Sequence, residues 1–284
     1  MNKLIIILAL LLSFGMQPLN AQQDSVKVSL LTCAPGTEIY ALFGHTALRY
    51  EDPAHGQDIV FNYGIFDFNT PNFIFRFVKG ETDYKLGVAP YESFEWQYAM
   101  RGSSVYQQTL NLTSAEKQKL WDLLEENYRP ENRVYRYNFF YDNCTTRARD
   151  RFEECIDGKV TYPEGKEGLS FRDIVHQYTK GHEWDELGID MCLGSEADVP
   201  IDARKQMFAP FYLLEAAKKA TIMEGDSLRS LVLAEKKIVD VEPEEEETGF
   251  PLSPMACVVI LMGVTCLIGW LQIRIKKVIW IWDI

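Results

Sequence analysis

The hydrophobic and polar positions of the chain predict early strands and later helices. Short early segments alternate apolar and polar residues, as half-buried strands do, and polar turn-rich loops such as 51–58 separate them. Later segments repeat apolar residues at helical spacing, and Thr113 to Glu116 has the spacing of a capping box. This order predicts an α+β fold in which helices pack on a small antiparallel sheet. The predicted strands are 26–32, 39–50 and 59–66, with 135–140 as strand or loop, and the predicted helices are 113–127, the segment after Cys144, 171–178 and 209–220.

The two ends of the chain have the patterns of export and membrane anchoring. Residues 1–21 combine Lys3 with an apolar run too short to span a bilayer, and therefore predict a signal peptide. Residues 255–273 have no charge and are long enough to form a transmembrane helix. The basic residues that follow predict that this end lies in the cytoplasm and the body of the protein outside. A buried core helix is the disfavoured alternative.

Composition indicates the domain organisation and excludes one class of partner. The net charge of −12 argues against nucleic acid. Residues 22–240 have the size of one periplasmic domain. The acidic, proline-flanked stretch 241–254 predicts a solvated linker, and 274–284 a basic cytoplasmic stub. The expected protein crosses the inner membrane once, with its main domain in the periplasm.

The six cysteines suggest different roles. Cys257 and Cys266 lie in the predicted membrane helix, where a cysteine acts as a small apolar residue. The other four are exported, where disulfides are permitted, and Cys155–Cys192 is the candidate bridge. Neither a C-x-x-C nor an H-E-x-x-H pattern occurs, and the four histidines are scattered. No metal or other cofactor is expected.

Cys144 is the strongest candidate for chemistry. Asp142 and Asn143 before it are good N-cap residues, and the residues after it can continue as a helix. A thiol in the first helical turn lies near the positive end of the helix dipole and near unpaired N–H groups, which favour its thiolate. The motif therefore indicates a nucleophile. A cysteine that only packs or forms a disulfide is the alternative.

His45 is the candidate base for this thiol. It lies in an otherwise apolar segment, and Gly44 before it permits a close backbone approach. A satisfied core histidine is the alternative. If the strand pair turns about residues 53–55, Asn62 lies opposite His45 and can hold the imidazole tautomer, and Asp67 is the other option. A register slip of one residue would remove Asn62 from this position.

Two further features near the cysteine suggest a lipid. Segment 66–77 contains five phenylalanines, which suit an acyl-chain groove or a membrane surface. An ordinary core segment is the alternative. Arg147 and Arg149 follow the cysteine and can meet a phosphate headgroup, although arginines on a helix surface are equally expected.

These motifs together resemble the N-terminal periplasmic domain of the Bacteroidota lipoprotein N-acyltransferase family. The resemblance covers roughly residues 26–240. The order of histidine before cysteine also resembles circularly permuted papain-like thiol enzymes of the NlpC type. The motifs that carry the resemblance to the N-acyltransferase family are Phe43–Arg49, 62–68 and 138–147, together with 31–36 and 79–84.

The resemblance implies transfer of a fatty acyl group from a phospholipid to the N-terminal amine of a diacylated lipoprotein. Cys144 would attack the ester and form a thioester, His45 would act as base, and Asn62 would orient His45. Cys33 also fits a position of the family without a defined role. The alternatives are a papain-like peptidoglycan amidase or endopeptidase, and a non-catalytic membrane-anchored paralogue. Members of the family typically continue through further membrane helices.

Overall fold

The computed structural model describes residues 25–66, 71–241 and 250–276 of the chain. Four features predicted from the sequence lie outside these residues: the signal peptide, Asp67, the acidic run of the linker, and the stub from residue 277. The strands are β1 Lys27–Cys33, β2 His45–Asp52, β3 Gln57–Ile65, β4 Asp83–Pro90, β5 Val105–Leu110, β6 Val134–Arg136, β7 Lys159–Thr161, β8 Thr221–Glu224, β9 Ser227–Ser230 and β10 Val232–Val239.

The helices begin and end largely where local sequence signals place them. Capping boxes start three of the helices, at Thr113, Asn143 and Ser170. The side chain of each cap residue accepts backbone N–H groups that would otherwise have no partner. The helices are α1 Phe73–Val78, α2 Tyr91–Met100, α3 Ser114–Tyr128, α4 Cys144–Cys155, α5 Phe171–Tyr178, α6 Glu183–Cys192, α7 Ala203–Gln206, α8 Pro210–Lys219 and α9 Pro254–Ile275, and a 3-10 turn covers Ser195–Asp198.

The predicted α+β class, with helices packed on an antiparallel sheet, is confirmed. The main sheet has seven strands in the order β10-β5-β1-β2-β3-β4-β6, and each pair of neighbours is antiparallel. It is larger than predicted because it also contains β4 and β5, which were not predicted, and because β10, from late in the chain, adds to the edge beside β5. A second sheet, β7-β8-β9, also lies in the later part.

The strand predicted over 39–50 begins later, at His45. Residues 38–43 form turns instead, and Gly44 has a φ of 73°. A side chain at Gly44 would collide with the carbonyl oxygen of Cys33 on the neighbouring strand. The glycine therefore lets the chain turn sharply into β2, so that His45 is the first residue of that strand.

The main sheet is covered on both faces. On one face Leu30, Leu48 and Phe61 pack with buried residues of α3, α4 and α8. On the other face Leu31, Ala47 and Val60 pack with Phe94 and Tyr98 of α2. Because α4 packs on β2 and β3, its first residue comes close to the strand ends that hold His45 and Asn62.

The C-terminal helix α9 has the properties of a membrane span. It has 22 residues and a mean hydropathy of 2.2, and none of its residues is buried. Among the residues that the structure describes, no other helix is long and apolar enough to cross a bilayer. The predicted apolar helix at this end of the chain is confirmed, and Arg274 lies in its last turn.

Candidate active site

The candidate nucleophile, Cys144, is the first residue of α4, and a buried cap fixes its position. The side-chain oxygen of Asn143 accepts the N–H groups of Thr145 and Thr146, each at 2.9 Å. Its Nδ2 donates to the carbonyl oxygens of Phe139, at 2.8 Å, and Phe208, at 3.0 Å. All four hydrogen-bonding directions of the Asn143 amide are therefore used. The thiol is partly buried at a rigid helix start.

The structure brings His45, the first residue of β2, close to Asn62, which lies near the end of β3. The Nε2 atom of His45 is hydrogen-bonded to Oδ1 of Asn62. Since an amide oxygen only accepts, Nε2 carries the proton and Nδ1 is left for the thiol. The charge and hydrogen bonding of the imidazole lower the pKa of Cys144, so the thiol lies beside the ring. The three side chains therefore form a chain from thiol to imidazole to amide.

The predicted register of this strand pair was wrong by two residues. Leu48 lies opposite Phe61, which places Asn62 level with Ala47 instead of His45. The side chains still meet, diagonally, because side chains of a strand return to the same face every second residue. A slip of one residue would have separated them.

Gly64 lies between the two reactive side chains. Its φ is 89°, and it lies where the register of β3 with β4 shifts. A Cβ added at Gly64 would lie 3.5 Å from Cβ of Cys144 and 3.8 Å from Cε1 of His45. A Cβ would thus be in van der Waals contact with both residues, and the positive φ is what favours glycine at this point beside the site.

The electrostatics of the pair favour a thiolate. Burial alone would raise the pKa of Cys144, but the charge and hydrogen bond of His45, together with a backbone N–H of Thr46 and the hydroxyl of Thr145, lower it to about 7. Burial would lower the pKa of His45, whereas the Cys144 thiolate and the hydrogen bonds to Cys144 and Asn62 raise it above its ordinary value. Each group therefore stabilises the charged form of the other.

Two threonines join the histidine strand to the cysteine helix. The hydroxyls of Thr46 and Thr145 are 3.1 Å apart and both residues are buried. The Thr145 hydroxyl also lies 3.8 Å from the sulfur of Cys144. Sequence reasoning did not identify either residue as part of the site. Their one signal was position, because each directly follows a candidate catalytic residue.

The chain matches one known family. The sequence model described as the Lnb N-terminal periplasmic domain matches residues 19–180, more than half of the chain. This chain belongs to the Lnb N-terminal periplasmic domain family. No curated protein and no solved structure matches it. The matched range contains Cys144, His45 and Asn62, and the catalytic roles of these three residues stay a prediction.

In this Lnb-type domain Cys33 lies beside the pair without sharing its chemistry. It is directly opposite His45 in the β1–β2 register and is fully buried. Burial raises its pKa far above the ordinary value, and a hydrogen bond to Tyr98 on α2 offsets only part of that effect. Burial and the raised pKa therefore favour the neutral thiol form of Cys33.

A row of aromatic rings extends away from the thiol. Tyr137 stacks on Tyr84 with centroids 4.1 Å apart, Tyr84 contacts Phe66 at 5.1 Å, and Phe66 contacts Tyr40 at 6.0 Å. Burial is the main cause that raises the pKa of Tyr84 and of Tyr137, and the charge of the Cys144 thiolate adds to it. Within this row, these two rings are therefore near the thiol. Tyr40 at the far end is exposed. The site therefore has an apolar wall that reaches the surface.

The phenylalanine-rich segment contributes to this surface. Phe75 and Phe77, both in α1, are 62% and 43% exposed. Core packing, the alternative for this segment, does not apply to these two residues. They add an apolar surface to the same segment that supplies Phe66.

The two arginines after the cysteine do not present free guanidinium groups. Arg147 donates to both oxygens of Asp142, at 2.6 and 2.7 Å, and lies 3.5 Å above the ring of Tyr135. Arg149 is buried and pairs with Asp150. Their hydrogen-bonding groups already serve the protein, and the suggested headgroup contact is not supported.

The suggested Cys155–Cys192 disulfide was wrong. Both residues are free thiols, Cys155 is buried, and Cys192 is exposed on α6. The Cys155 thiol instead donates to the carbonyl oxygen of Phe152, 3.0 Å away and one helical turn earlier. Spacing in the sequence could not show that the two side chains lie in different environments.

Proposed function

We propose that this chain is a membrane-anchored acyltransferase that moves a fatty acyl group from a phospholipid to the N-terminal amine of a diacylated lipoprotein. The observation that supports it most directly is the site itself. Cys144 has a pKa that the neighbouring His45 lowers to about 7, and Nε2 of His45 is hydrogen-bonded to Asn62. This is the arrangement of a thiol nucleophile, its base and an orienting group.

The first half of the reaction would form a thioester. The Cys144 thiolate attacks the carbonyl carbon of the phospholipid ester, and a tetrahedral intermediate forms. As it collapses, the bond from carbon to the glycerol oxygen breaks. The His45 imidazolium gives its proton to that oxygen, and lysophospholipid leaves. The acyl group remains on the sulfur.

The second half would use the same groups in reverse. The free amine of the lipoprotein attacks the thioester carbon, and neutral His45 takes the proton that the amine loses. The C–S bond then breaks, the amide is released and Cys144 returns to the thiolate. Asn62 keeps the imidazole in the tautomer that both halves require.

Backbone groups at the start of α4 suit the negative charge of the tetrahedral intermediates. The cap of Asn143 uses the N–H groups of Thr145 and Thr146, and leaves the N–H of Cys144 outside the cap. This N–H lies at the positive end of the α4 dipole, beside the reacting sulfur. It is our candidate oxyanion donor.

The surroundings of the site favour a lipid over a peptidoglycan substrate. The wall formed by Tyr137, Tyr84, Phe66 and Tyr40 is aromatic up to the surface. An acyl chain gains free energy along such a wall, whereas a polar muropeptide does not. The membrane helix α9 would hold the domain at the bilayer that contains both lipid substrates. Muropeptide release by the purified protein would instead support an amidase.

The proposed function also implies where the protein lies in the cell. The family is periplasmic and α9 can cross a membrane, so a single-pass membrane protein is supported. We place it in the inner membrane, with a signal peptide over 1–21, a periplasmic domain over 22–240 and a cytoplasmic end after α9. In this proposal the diacylated lipoprotein substrates lie in the periplasmic leaflet of the inner membrane.

Complementation tests the proposal. In a strain without its own N-acyltransferase, the full chain should restore N-acylated lipoprotein, and Cys144→Ala and His45→Ala should not. His55→Ala is the matched histidine control, because His55 lies on the exposed β2–β3 turn. Cys266→Ala, in α9, is the matched cysteine control. Full activity of both site variants would exclude the proposed chemistry.

A further inference from the structure

Helix α6 presents its apolar side to the outside. Trp184, Leu187, Gly188 and Met191 follow the i, i+3, i+4, i+7 spacing and share one face. The three larger side chains are 43%, 41% and 80% exposed. A Cβ added at Gly188 would meet nothing within 4 Å, so this face borders open space. We call these four residues the α6 outer face.

Two of the four acidic residues of α6, Glu186 and Asp190, are held by neighbouring elements of the protein. Glu186 accepts the hydroxyl of Thr179 at 2.6 Å. Asp190 pairs with Arg172 and lies 3.0 Å from Nε2 of His176. A helix face exposed to water is usually polar, whereas the α6 outer face has three large exposed apolar side chains and no charge. Such a face suits an apolar medium.

The α6 outer face lies where the chain enters the membrane helix. The indole N–H of Trp184 donates to the carbonyl oxygen of Leu252 at 2.8 Å. The same ring contacts Phe250 at 6.0 Å between centroids. Leu252 is two residues before Pro254, the first residue of α9. If α9 crosses a bilayer, Trp184 is therefore at the level of the lipid headgroups.

We propose that α6 is an interfacial helix, whose outer face inserts Trp184, Leu187 and Met191 into the headgroup region of the outer leaflet. Tryptophan is enriched at this depth because its ring is apolar while its N–H remains hydrogen-bonded. An amphipathic helix in the membrane plane gains free energy from the apolar area it buries. The proposal rests on α9 as a membrane span and does not depend on the chemistry of Cys144.

The position of α6 also determines how far the candidate active site lies from the membrane surface. Ile189 of α6 and Leu193, the residue after the helix, pack on a buried cluster that also contacts Phe43 and Phe139. Phe43 is two residues before His45, and Phe139 accepts a hydrogen bond from the cap residue Asn143. Contact of α6 with the lipid would therefore hold the thiol at a fixed distance from the bilayer.

A depth measurement tests the proposal on the full chain. Met191→Cys would be labelled with an environment-sensitive fluorophore, in a chain whose Cys144 and other accessible cysteines are replaced by serine. The control label is at Asp226→Cys, in the exposed turn between β8 and β9. The protein is reconstituted into phosphatidylethanolamine and phosphatidylcholine vesicles that contain a lipid with a nitroxide near the top of its acyl chain.

We expect a blue-shifted emission at position 191 that the nitroxide lipid quenches several-fold, and a water-like, unquenched emission at position 226. Water-like emission at 191 would overturn the proposal. So would a blue shift without quenching, which would show that protein covers α6. A second test keeps all cysteines. Brominated phospholipids quench tryptophan fluorescence, and this quenching is compared between the native chain and Trp184→Phe. Loss of part of the quenching is expected in this variant, and unchanged quenching counts against the proposal.

A functional test separates this proposal from the one on acyl transfer. Leu187→Gln with Met191→Gln should lower transfer to a bilayer-embedded acceptor about threefold to tenfold. Alkylation of Cys144 by water-soluble iodoacetamide should not change. The matched control is Met223→Gln with Leu228→Gln, because these exposed apolar residues lie on the small sheet. Equal losses in both double variants would contradict a specific role for α6. If the native chain transfers no acyl group, the depth measurement still decides the proposal.

Discussion

His45 donates its Nε2 hydrogen to the side-chain oxygen of Asn62, diagonally across strands β2 and β3. This bond determines which imidazole nitrogen faces Cys144. Without it, the ring could rotate or take the other tautomer, and Nδ1 would no longer be held as the base. The bond therefore makes Asn62 a positioning residue with a measurable effect.

Replacement of Asn62 by alanine should slow acyl transfer about tenfold to a hundredfold, because a hydrogen bond to a charged group contributes about 1.5–3 kcal/mol. Asn62→Asp should retain more activity, since a carboxylate also accepts the Nε2 hydrogen. The rate and pH profile of transfer measure this effect. Equal rates for the alanine variant and the native chain would show that Asn62 does not orient the base.

The rate of Cys144 alkylation should depend on pH with a midpoint near 7. The thiolate is the reactive form, and the pKa of Cys144 is about 7, so the rate rises as pH increases through this value. In His45→Ala the positive partner is lost and the midpoint should move to the ordinary range of about 8.5 or above. At pH 7 this lowers the rate about tenfold or more. Iodoacetamide reactions are quenched at timed intervals and analysed by peptide mass spectrometry. They give the pH profile of alkylation for the native chain and for His45→Ala.

The same labelling experiment contains an internal control. Cys33 is buried and its raised pKa keeps it protonated, so it should remain unlabelled in the native chain at every pH at which Cys144 reacts. Equal labelling of Cys33 and Cys144 would contradict the assignment of one nucleophile.

Gly64→Ala should damage the site more than it damages the fold. Both Gly64, with φ 89°, and Gly56, with φ 65°, have backbones that alanine adopts poorly, at a cost of about 1–2 kcal/mol. A Cβ at Gly56 meets nothing within 4 Å, whereas at Gly64 it meets Cys144 and His45. Urea unfolding should show similar losses for both variants, but Cys144 alkylation should slow only in Gly64→Ala. Equal alkylation rates would show that the close approach at Gly64 is unimportant.

The two capping boxes of α3 and α4 provide a matched pair for stability. Thr113→Ala removes an N-cap far from the site and should cost about 1 kcal/mol of the free energy of unfolding. Asn143→Ala removes a cap and also leaves the buried carbonyl of Phe208 without its donor, so we expect about 2–3 kcal/mol. The second variant should also slow the alkylation of Cys144. A smaller loss in Asn143→Ala than in Thr113→Ala would contradict this description of the cap.

The sequence predicted those parts of the fold that have local signals. The capping box at Thr113 and the N-cap before Cys144 predicted helix starts that the structure confirms. Alternation predicted β1 and β3 within about two residues. By contrast, β10 has mostly exposed side chains and no burial pattern, because it is an edge strand held by backbone bonds to β5. No local signal reveals such a partner.

For the candidate site, the sequence identified the residues but not their geometry. Cys144 and His45 were indicated by chemistry and local context, and Asn62 by an assumed register. The actual register differs by two residues, and the shift at Gly64 that brings the thiol to the imidazole depends on tertiary packing. The roles of Thr46 and Thr145 were not predicted, since threonine is common in strands and helix starts.

Cys144 accepts the acyl group in the proposed reaction, and mass spectrometry of the full chain can detect this acyl-enzyme directly. The reconstituted protein is incubated with phospholipid but without a lipoprotein acceptor, so that the intermediate accumulates. We expect that the peptide containing Cys144 gains the mass of a fatty acyl group minus a hydrogen, that hydroxylamine removes this group, and that His45→Ala greatly reduces its amount. An unmodified Cys144 in a protein that still N-acylates lipoprotein on addition of the acceptor would show that Cys144 does not carry the acyl group.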